Sequence, residues 1–331
     1  MTYIPNARYR IQFNHRFTFQ MAKSIVPYLA QSGVTDMYAS PIFKACKRSL
    51  HGYDVVDPTE LNPELGTAQD FDALIADLHH YRMGWIQDIV PNHMAYDAQN
   101  RMLMDVLEHG LKSQFAHFFD VDWNPHYESI TDKILAPFLG EFYAESLENG
   151  TIQLQYGEDG LKIYYYEHQY PVRIDSYTRL FTYRLDQLQD RMSETNPDFI
   201  KLLGVLYTIK QALSHDNYQD QYNQALFVKR MLWDLYQSNQ QFKQFVDENI
   251  NIFNGEPGKP ESYNLLDELL SEQYYRMAFW KVGTEEINYR RFFYVNNLIS
   301  LNMHNADVFQ KLHALLLQHF PVALLLNEKT M

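Results

Sequence analysis

Asp88-Ile-Val-Pro-Asn-His-Met-Ala95 decides how this chain is read. Trp85 to Val90 predicts a buried strand, and Pro91, which has no N–H to offer a ladder, marks where the strand gives way to a loop. Asp88, Asn92 and His93 then arrive together at the C-terminal end of a strand, where barrel enzymes keep their chemistry. An acid in that position is either held in a satisfied structural network or serves a site, because a buried polar group needs partners.

Working upstream, Phe71, Leu74, Ile75 and Leu78 repeat at i, i+3, i+4 and i+7, which predicts a helix leading into that strand. Val34 to Tyr38 predicts an earlier strand. Ala22, Val26, Leu29 and Ala30 predict a helix that Gly33 stops and Pro27 kinks or restarts, and Tyr9 to Phe13 predicts a first strand. Strand, helix, strand, helix, strand argues for parallel strands joined by right-handed crossovers. Ala39 to Gly66 is expected to be a loop carrying His51, Tyr53 and Asp54 close together. A tyrosine face flanked by donors and acceptors complements a sugar ring, although Gly52 and Asp54 are also ordinary turn formers.

Downstream of Ala95 the strand and helix unit stops repeating. Residues 96–284 are expected to form an inserted, mainly helical subdomain, with long helices over Phe199 to Leu213 and Tyr222 to Phe245. Ile152 to Tyr156 and Leu161 to Tyr166, separated by Gly157-Glu-Asp-Gly160, predict a β-hairpin. Asn254 to Pro260 is expected as loop, and Tyr274 to Val282 as a helix or bent helical turn. Glu285 to Phe293 is expected to be extended and Ala306 to His319 helical.

The 331 residues are long enough for one large domain or a barrel with an insertion. Asp and Glu outnumber Lys and Arg by 41 to 28, a balance that repels nucleic acid. No apolar run approaches a membrane span, the nearest being Leu315 to Leu326, which Gln318, His319 and Pro321 interrupt. The lone Cys46 and the absence of an apolar leader point to a reducing cytoplasm. Twenty-five tyrosines and 21 phenylalanines suit sugar stacking, yet most such rings simply pack.

Other chemistries find little support. His79 and His80 read as solvated helix surface, and no His-x-x-x-His or paired Cys spacing closes a metal shell. No base is tied to Cys46, which disfavours a thiol nucleophile. Neither glycine-rich phosphate-loop pattern occurs, which disfavours nucleotide cofactors.

Seven segments in order carry a family resemblance: Tyr9-Arg-Ile-Gln-Phe13, Tyr38-Ala-Ser-Pro41, His51-Gly-Tyr-Asp-Val-Val-Asp-Pro58, Leu61-Asn-Pro-Glu-Leu-Gly66, Asp88 to Ala95, Asp105-Val-Leu-Glu-His-Gly110 and Glu286-Ile-Asn-Tyr-Arg-Arg-Phe-Phe293. Together, from about Tyr9 to Gln318, they resemble the maltooligosyltrehalose synthases of the α-amylase group, glycoside hydrolase family 13. The resemblance implies an α/β fold, the first three strands of a (β/α)8 TIM barrel in 1–95. It also implies an insertion over 96–284, a return with the helix before strand four over 285–318, and an unmatched tail over 319–331.

The implied reaction turns the reducing-end α-1,4 bond of a maltooligosaccharide into the α,α-1,1 bond of trehalose by retaining chemistry, with the freed glucose kept, turned and used as acceptor. By the same resemblance Tyr53 stacks on the sugar, His93 bonds its primary hydroxyl, and Asp88 and Asn92 shape the pocket wall. His51, Asp54, Arg290 and Arg291 complete the implied substrate contacts, without a decision between the two arginines. Amylases often bind calcium through an asparagine like Asn92, but no other ligands can be placed, so no metal site is assigned.

The family's nucleophile, an aspartate in a fourth-strand segment like Arg-Ile-Asp-His, its acid glutamate on strand five and a further aspartate on strand seven are absent from these residues. Glu328 stands in the unmatched tail and replaces none of them. The expectation is a truncated synthase, as from a frameshift near the end, inactive alone and marginal in stability because barrel edges stay open. A second chain supplying the missing half, a noncatalytic glucan-binding remnant, and an amylase-like hydrolase are the alternatives.

Overall fold

The computed structural model describes residues 5–126, 128–212 and 218–319 of the chain; the expected tail, Glu328 included, falls outside them beyond His319. In chain order the elements are β1 Arg8–Ile11, α1 Phe19–Gln31, β2 Asp36–Ala39, β3 Phe43–Ala45, β4 Val55–Leu61, α2 Ala68–His80, β5 Gly84–Gln87, β6 His93–Ala95 and α3 Arg101–His109. There follow β7 Ile134–Leu139, α4 Tyr143–Glu148, β8 Ile152–Gly157, β9 Gly160–Tyr165, β10 His168–Pro171, α5 Tyr177–Thr182 and α6 Leu185–Met192. The remainder is α7 Pro197–Ala212, α8 Tyr218–Ser238, α9 Gln240–Phe253, α10 Asn264–Ser271, β11 Tyr275–Phe279, β12 Leu298–Ser300 and α11 Ala306–His319. Two compact units emerge among the described residues: a first from 5–101, His117–Asp120 and 291–319, and a second from Met102–Ala116 and Val121–Arg290.

In the first unit, β1, β2 and β5 form a parallel sheet in that order, with Ile11 opposite Ala39 and Ala39 opposite Gln87. The carboxyl ends of all three strands are thereby level. Helix α1 starts where the Thr18 side chain accepts from the Met21 N–H, and α2 starts with a capping box between Thr67 and Asp70. Their apolar faces bury Phe19, Val26, Phe71 and Leu74 against Phe13 and Met37 of the sheet side. Each such side chain contributes about 1.5–3 kcal/mol on burial, enough to fix which face of the sheet is inside.

Several expectations are corrected here. β5 is half-buried along its length and stops at Gln87, so Asp88 to Asn92 lie beyond the strand. β5 is an outer strand of its sheet, and Pro91 has no N–H for a further ladder. The chain resumes pairing at β6, antiparallel to β12, a strand that the sequence pattern does not announce. Ala39 to Gly66 is not all loop: β3 and β4 pair antiparallel, with irregular register, and flank the turn that carries His51 to Asp54.

The second unit holds the three-stranded antiparallel sheet β10-β9-β8, with the expected hairpin at its β8–β9 edge, and the helices α5 to α10. Phe181 of α5 and Phe242 of α9 stack at 6.0 Å within its core. The helix expected over Tyr222 to Phe245 is two helices, broken at Asn239, whose side chain accepts from the Phe242 N–H at 3.0 Å and so caps α9. Tyr275–Phe279 is a strand, parallel to β7, where a helical turn was expected. Alternating Tyr275, Met277 and Phe279 is the period-two signal that outweighs the short apolar run. Glu285 to Phe293 forms no strand and is held by isolated bridges such as Val121 with Tyr289.

Among the described residues the fold is mixed α/β, with no closed barrel. No helix of these residues is long and apolar enough to cross a membrane.

Candidate functional site

The level carboxyl ends of β1, β2 and β5 set the floor of the site. Asp88, the residue after β5, is tied to the sheet by its own N–H, which donates to Ala39 O at 3.0 Å. Its carboxylate accepts from the Tyr53 hydroxyl at 2.5 Å. Arg10 of β1 reaches the same place: Nη2 donates to Tyr53 Oη at 3.1 Å and stands 3.6 Å from Asp88 Oδ2. Cation, phenol and carboxylate thus form one cluster, open to solvent at Arg10, which is 40% exposed, and more enclosed at Asp88, which is 18% exposed. Burial, then the bond to Asp88, pushes the Tyr53 phenol above its ordinary value, so it remains a neutral donor.

Tyr53 is also held from below. Its carbonyl lies 3.2 Å from His93 Nε2, and its N–H donates to His51 Nδ1 at 3.0 Å. The His51 and Tyr53 rings stack at 6.0 Å. His93 is only 3% exposed; its Nδ1 is 2.6 Å from the Asn92 amide oxygen and its ring packs on Phe292 at 4.3 Å. Burial lowers the His93 pKa, which the contact with Tyr53 O partly opposes. A neutral imidazole carries one N–H, which Tyr53 O takes when it sits on Nε2; Nδ1 then accepts from the Asn92 amide turned to present its NH2.

Asp54 serves the turn itself, accepting from the Ser49 hydroxyl at 2.5 Å, with His51 Nδ1 at 3.7 Å. Gln12 adds a bond from its amide to His51 O at 3.2 Å. Arg291 belongs to the same unit, bonds Asn296 and has its guanidinium 5.9 Å from the Tyr294 ring centre, while Arg290 belongs to the second unit. The structure therefore brings His51, Tyr53, Asp54, Asp88, Asn92 and His93 into one connected group. Cys46, nearby, is pushed far up by burial and by the Asp97 and Asp54 carboxylates, so its thiol stays protonated.

Sequence reasoning passed over Arg10 and Phe292 as site residues. Arg10 had a usable signal: period-two alternation along β1 sets it on the face opposite the buried Ile11, one step before the strand's carboxyl end.

Residues 22–146 match the family described as alpha amylase, catalytic domain. A protein of Mycobacterium tuberculosis (strain ATCC 25618 / H37Rv) named as a maltooligosyl trehalose synthase is 42% identical over 139 residues, which are 40% of this chain and 18% of that protein. Among solved structures, a glycosyltrehalose synthase, DSM5389, aligns with 95% of this chain and 32% of its own at 28% identity and a TM-score of 0.63. The chain resembles maltooligosyl trehalose synthase. A maltooligosyltrehalose synthase from Arthrobacter ramosus aligns likewise, at 25% identity, a TM-score of 0.61 and 95% of this chain against 29% of its own. The chain spans about a fifth of the length of the curated synthases it matches and about a third of the solved ones. Alpha-amylase SusG of Bacteroides thetaiotaomicron is 46% identical over 66 residues, 20% of this chain and 9% of that enzyme. The chain is thus similar both to synthases and, over a shorter stretch, to the amylase group at large.

Proposed function

We propose that the first unit is the sugar-holding wall of a maltooligosyl trehalose synthase active site, built on the first three strands of a (β/α)8 barrel. The substrate class is an α-1,4-glucan, and the reaction of the whole site moves the reducing-end α-1,4 bond to α,α-1,1. The single observation that carries this reading is the Arg10, Tyr53 and Asp88 cluster at the level carboxyl ends of three parallel strands. Tyr53 offers its ring as a platform for glucose, Asp88 and Arg10 fix that ring, and Asn92 with His93 forms the wall behind it. His93 bonds a primary hydroxyl by exchanging one of its present partners, since both its ring nitrogens already face protein groups. Arg291 and Arg290 remain candidates for further substrate contact.

Retaining chemistry needs an attacking carboxylate and an acid across the scissile bond. The segments that carry them in the family are not among these 331 residues. We therefore read these residues as the part that binds maltooligosaccharide, with the attacking carboxylate and the acid supplied from outside them. Titration of the purified chain with maltopentaose in a calorimeter, followed by product analysis, tests this. Heat of binding with unchanged sugar is expected. Trehalose-ended product, or new reducing ends, from this chain alone would overturn the binding-only reading, the latter in favour of an amylase-like hydrolase.

A further inference from the structure

The second unit contains a cavity of about 240 Å³ at the seam of α4, α10 and β11. Its polar lining is mixed in sign. Lys133 donates to Ser271 O and retains two further N–H groups. Arg276 pairs with Leu135 through the strand backbone, and its guanidinium makes no hydrogen bond or ion pair among the described residues, though it is close enough to Lys133 to weigh on its charge. Asp267 lines the same cavity and accepts from the Tyr143 hydroxyl at 2.7 Å through Oδ1, which leaves its second oxygen able to accept. Leu270 and Met277 supply apolar wall.

Beside the same seam stand exposed rings. Phe142, next to Tyr143 in the chain, is 62% exposed, and Trp280, just after β11, is 50% exposed. Phe279 joins them, at 5.1 Å from Phe142 and 5.8 Å from Trp280. Large rings left in water are unfavourable unless something covers them. A small anion would use Lys133 and Arg276 but would be opposed by Asp267. Free donors, a free carboxylate oxygen, apolar wall and adjoining ring faces are together the complement of a neutral, hydroxyl-rich ring.

We propose that this cavity and the Phe142 and Trp280 rings form a second α-glucan-binding site, one glucose unit seated between Arg276 and Asp267 and its neighbours stacked on the rings. The proposal rests on the α-glucan reading of the first unit for its substrate class, and on its own residues for its position. A chain held here keeps a long substrate attached between encounters with the first site, so it favours maltoheptaose over maltotriose.

Calorimetric titration with maltoheptaose tests it, using the whole chain and the variants Arg276→Gln, Trp280→Ala and Tyr53→Ala, all at positions exposed or on a turn. Two equivalents of sugar are expected for the parent. Arg276→Gln and Trp280→Ala should each weaken one of them by about fivefold or more, from the loss of a forked donor or a stacking ring, and leave the other unchanged. Tyr53→Ala should do the reverse. A single equivalent that Tyr53→Ala removes and the other two variants leave intact would overturn this inference alone. Absence of any binding by the parent would overturn it together with the reading of the first unit. Displacement of the sugar by millimolar inorganic phosphate in the parent but not in Arg276→Gln would show an anion site instead.

Discussion

Tyr53 and Asp88 stand 35 positions apart in the sequence and meet through a single hydrogen bond, phenol to carboxylate, at 2.5 Å. That contact joins the turn between β3 and β4 to the carboxyl end of β5. Arg10, from the other outer strand of the sheet, touches both partners, so three separate stretches of chain converge on one ring. The Tyr53 ring is thus fixed through its hydroxyl while His51 stacks with it at 6.0 Å, and the face away from His51 is the one proposed to meet the sugar.

Replacing Tyr53 by Phe removes the hydroxyl and keeps the ring. Asp88 loses a donor but retains Arg10, so the expected loss is about 1–2 kcal/mol of stability, measured by urea unfolding. Maltopentaose affinity should change by less than about threefold, whereas Tyr53→Ala should lower it about tenfold or more through loss of the stacking face. Equal losses in the two variants would assign binding to the hydroxyl and refute the platform role.

The Tyr53 phenol gives a pH signature. Burial raises it first, and the bond to Asp88 adds to that, while Arg10 acts the other way. A group raised on folding contributes stability fully below its ordinary value, here 10.0, and loses it as pH rises through the folded value. Arg10→Met removes the opposing cation, so the phenolate should appear at still higher pH. Ultraviolet difference titration, with Tyr53→Phe as the blank, checks the direction; a downward shift in Arg10→Met would contradict the cluster.

His93 predicts behaviour on the acid side. Burial depresses its pKa from the ordinary 6.5, so the folded unit holds it neutral. Its contribution is complete above that value and is lost as pH falls through the folded pKa, because the unfolded chain then binds a proton that the folded chain resists. Melting temperature should therefore fall as pH drops below about 6.5, and the fall should be smaller in His93→Gln. Proton NMR titration of the His93 ring gives an independent value, and a ring that titrates at or above the ordinary value would remove the basis for the effect.

Much of this was written locally in the sequence. Apolar spacing announced α1 and α2, and the β8–β9 hairpin followed from alternation around Gly157 and Gly160, because these elements are decided by neighbours a few positions apart. β4 was hidden because Val55 to Leu61 contains Asp57 and Pro58, which read as loop; it becomes a strand only by pairing with β3. β12 is three residues long and exists through its partner β6. The site behaves in the same way. Tyr53, Asp88 and His93 could be named from their motifs, whereas for Arg10 the alternation along β1 gives the face but not the partner, which lies 43 positions away.

Gly52 gives the sharpest test of how the turn positions Tyr53. Its φ is +76°, and a Cβ built there would stand 2.8 Å from Pro41 O, a backbone atom that cannot swing aside. Gly33 is also left-handed, at φ +84°, but a Cβ there meets nothing within 4 Å. Gly33→Ala should therefore cost only the backbone term, about 1 kcal/mol, and leave maltopentaose affinity unchanged. Gly52→Ala should cost about 2–4 kcal/mol, since strain and a clash combine, and should weaken the sugar as well, because the turn must shift and Tyr53 moves with it. Chemical unfolding and calorimetry of the two variants side by side separate the terms. Equal stability losses with equal affinities would mean that the Pro41 contact does not hold the turn, and Tyr53 would then owe its place to Asp88 and Arg10 alone.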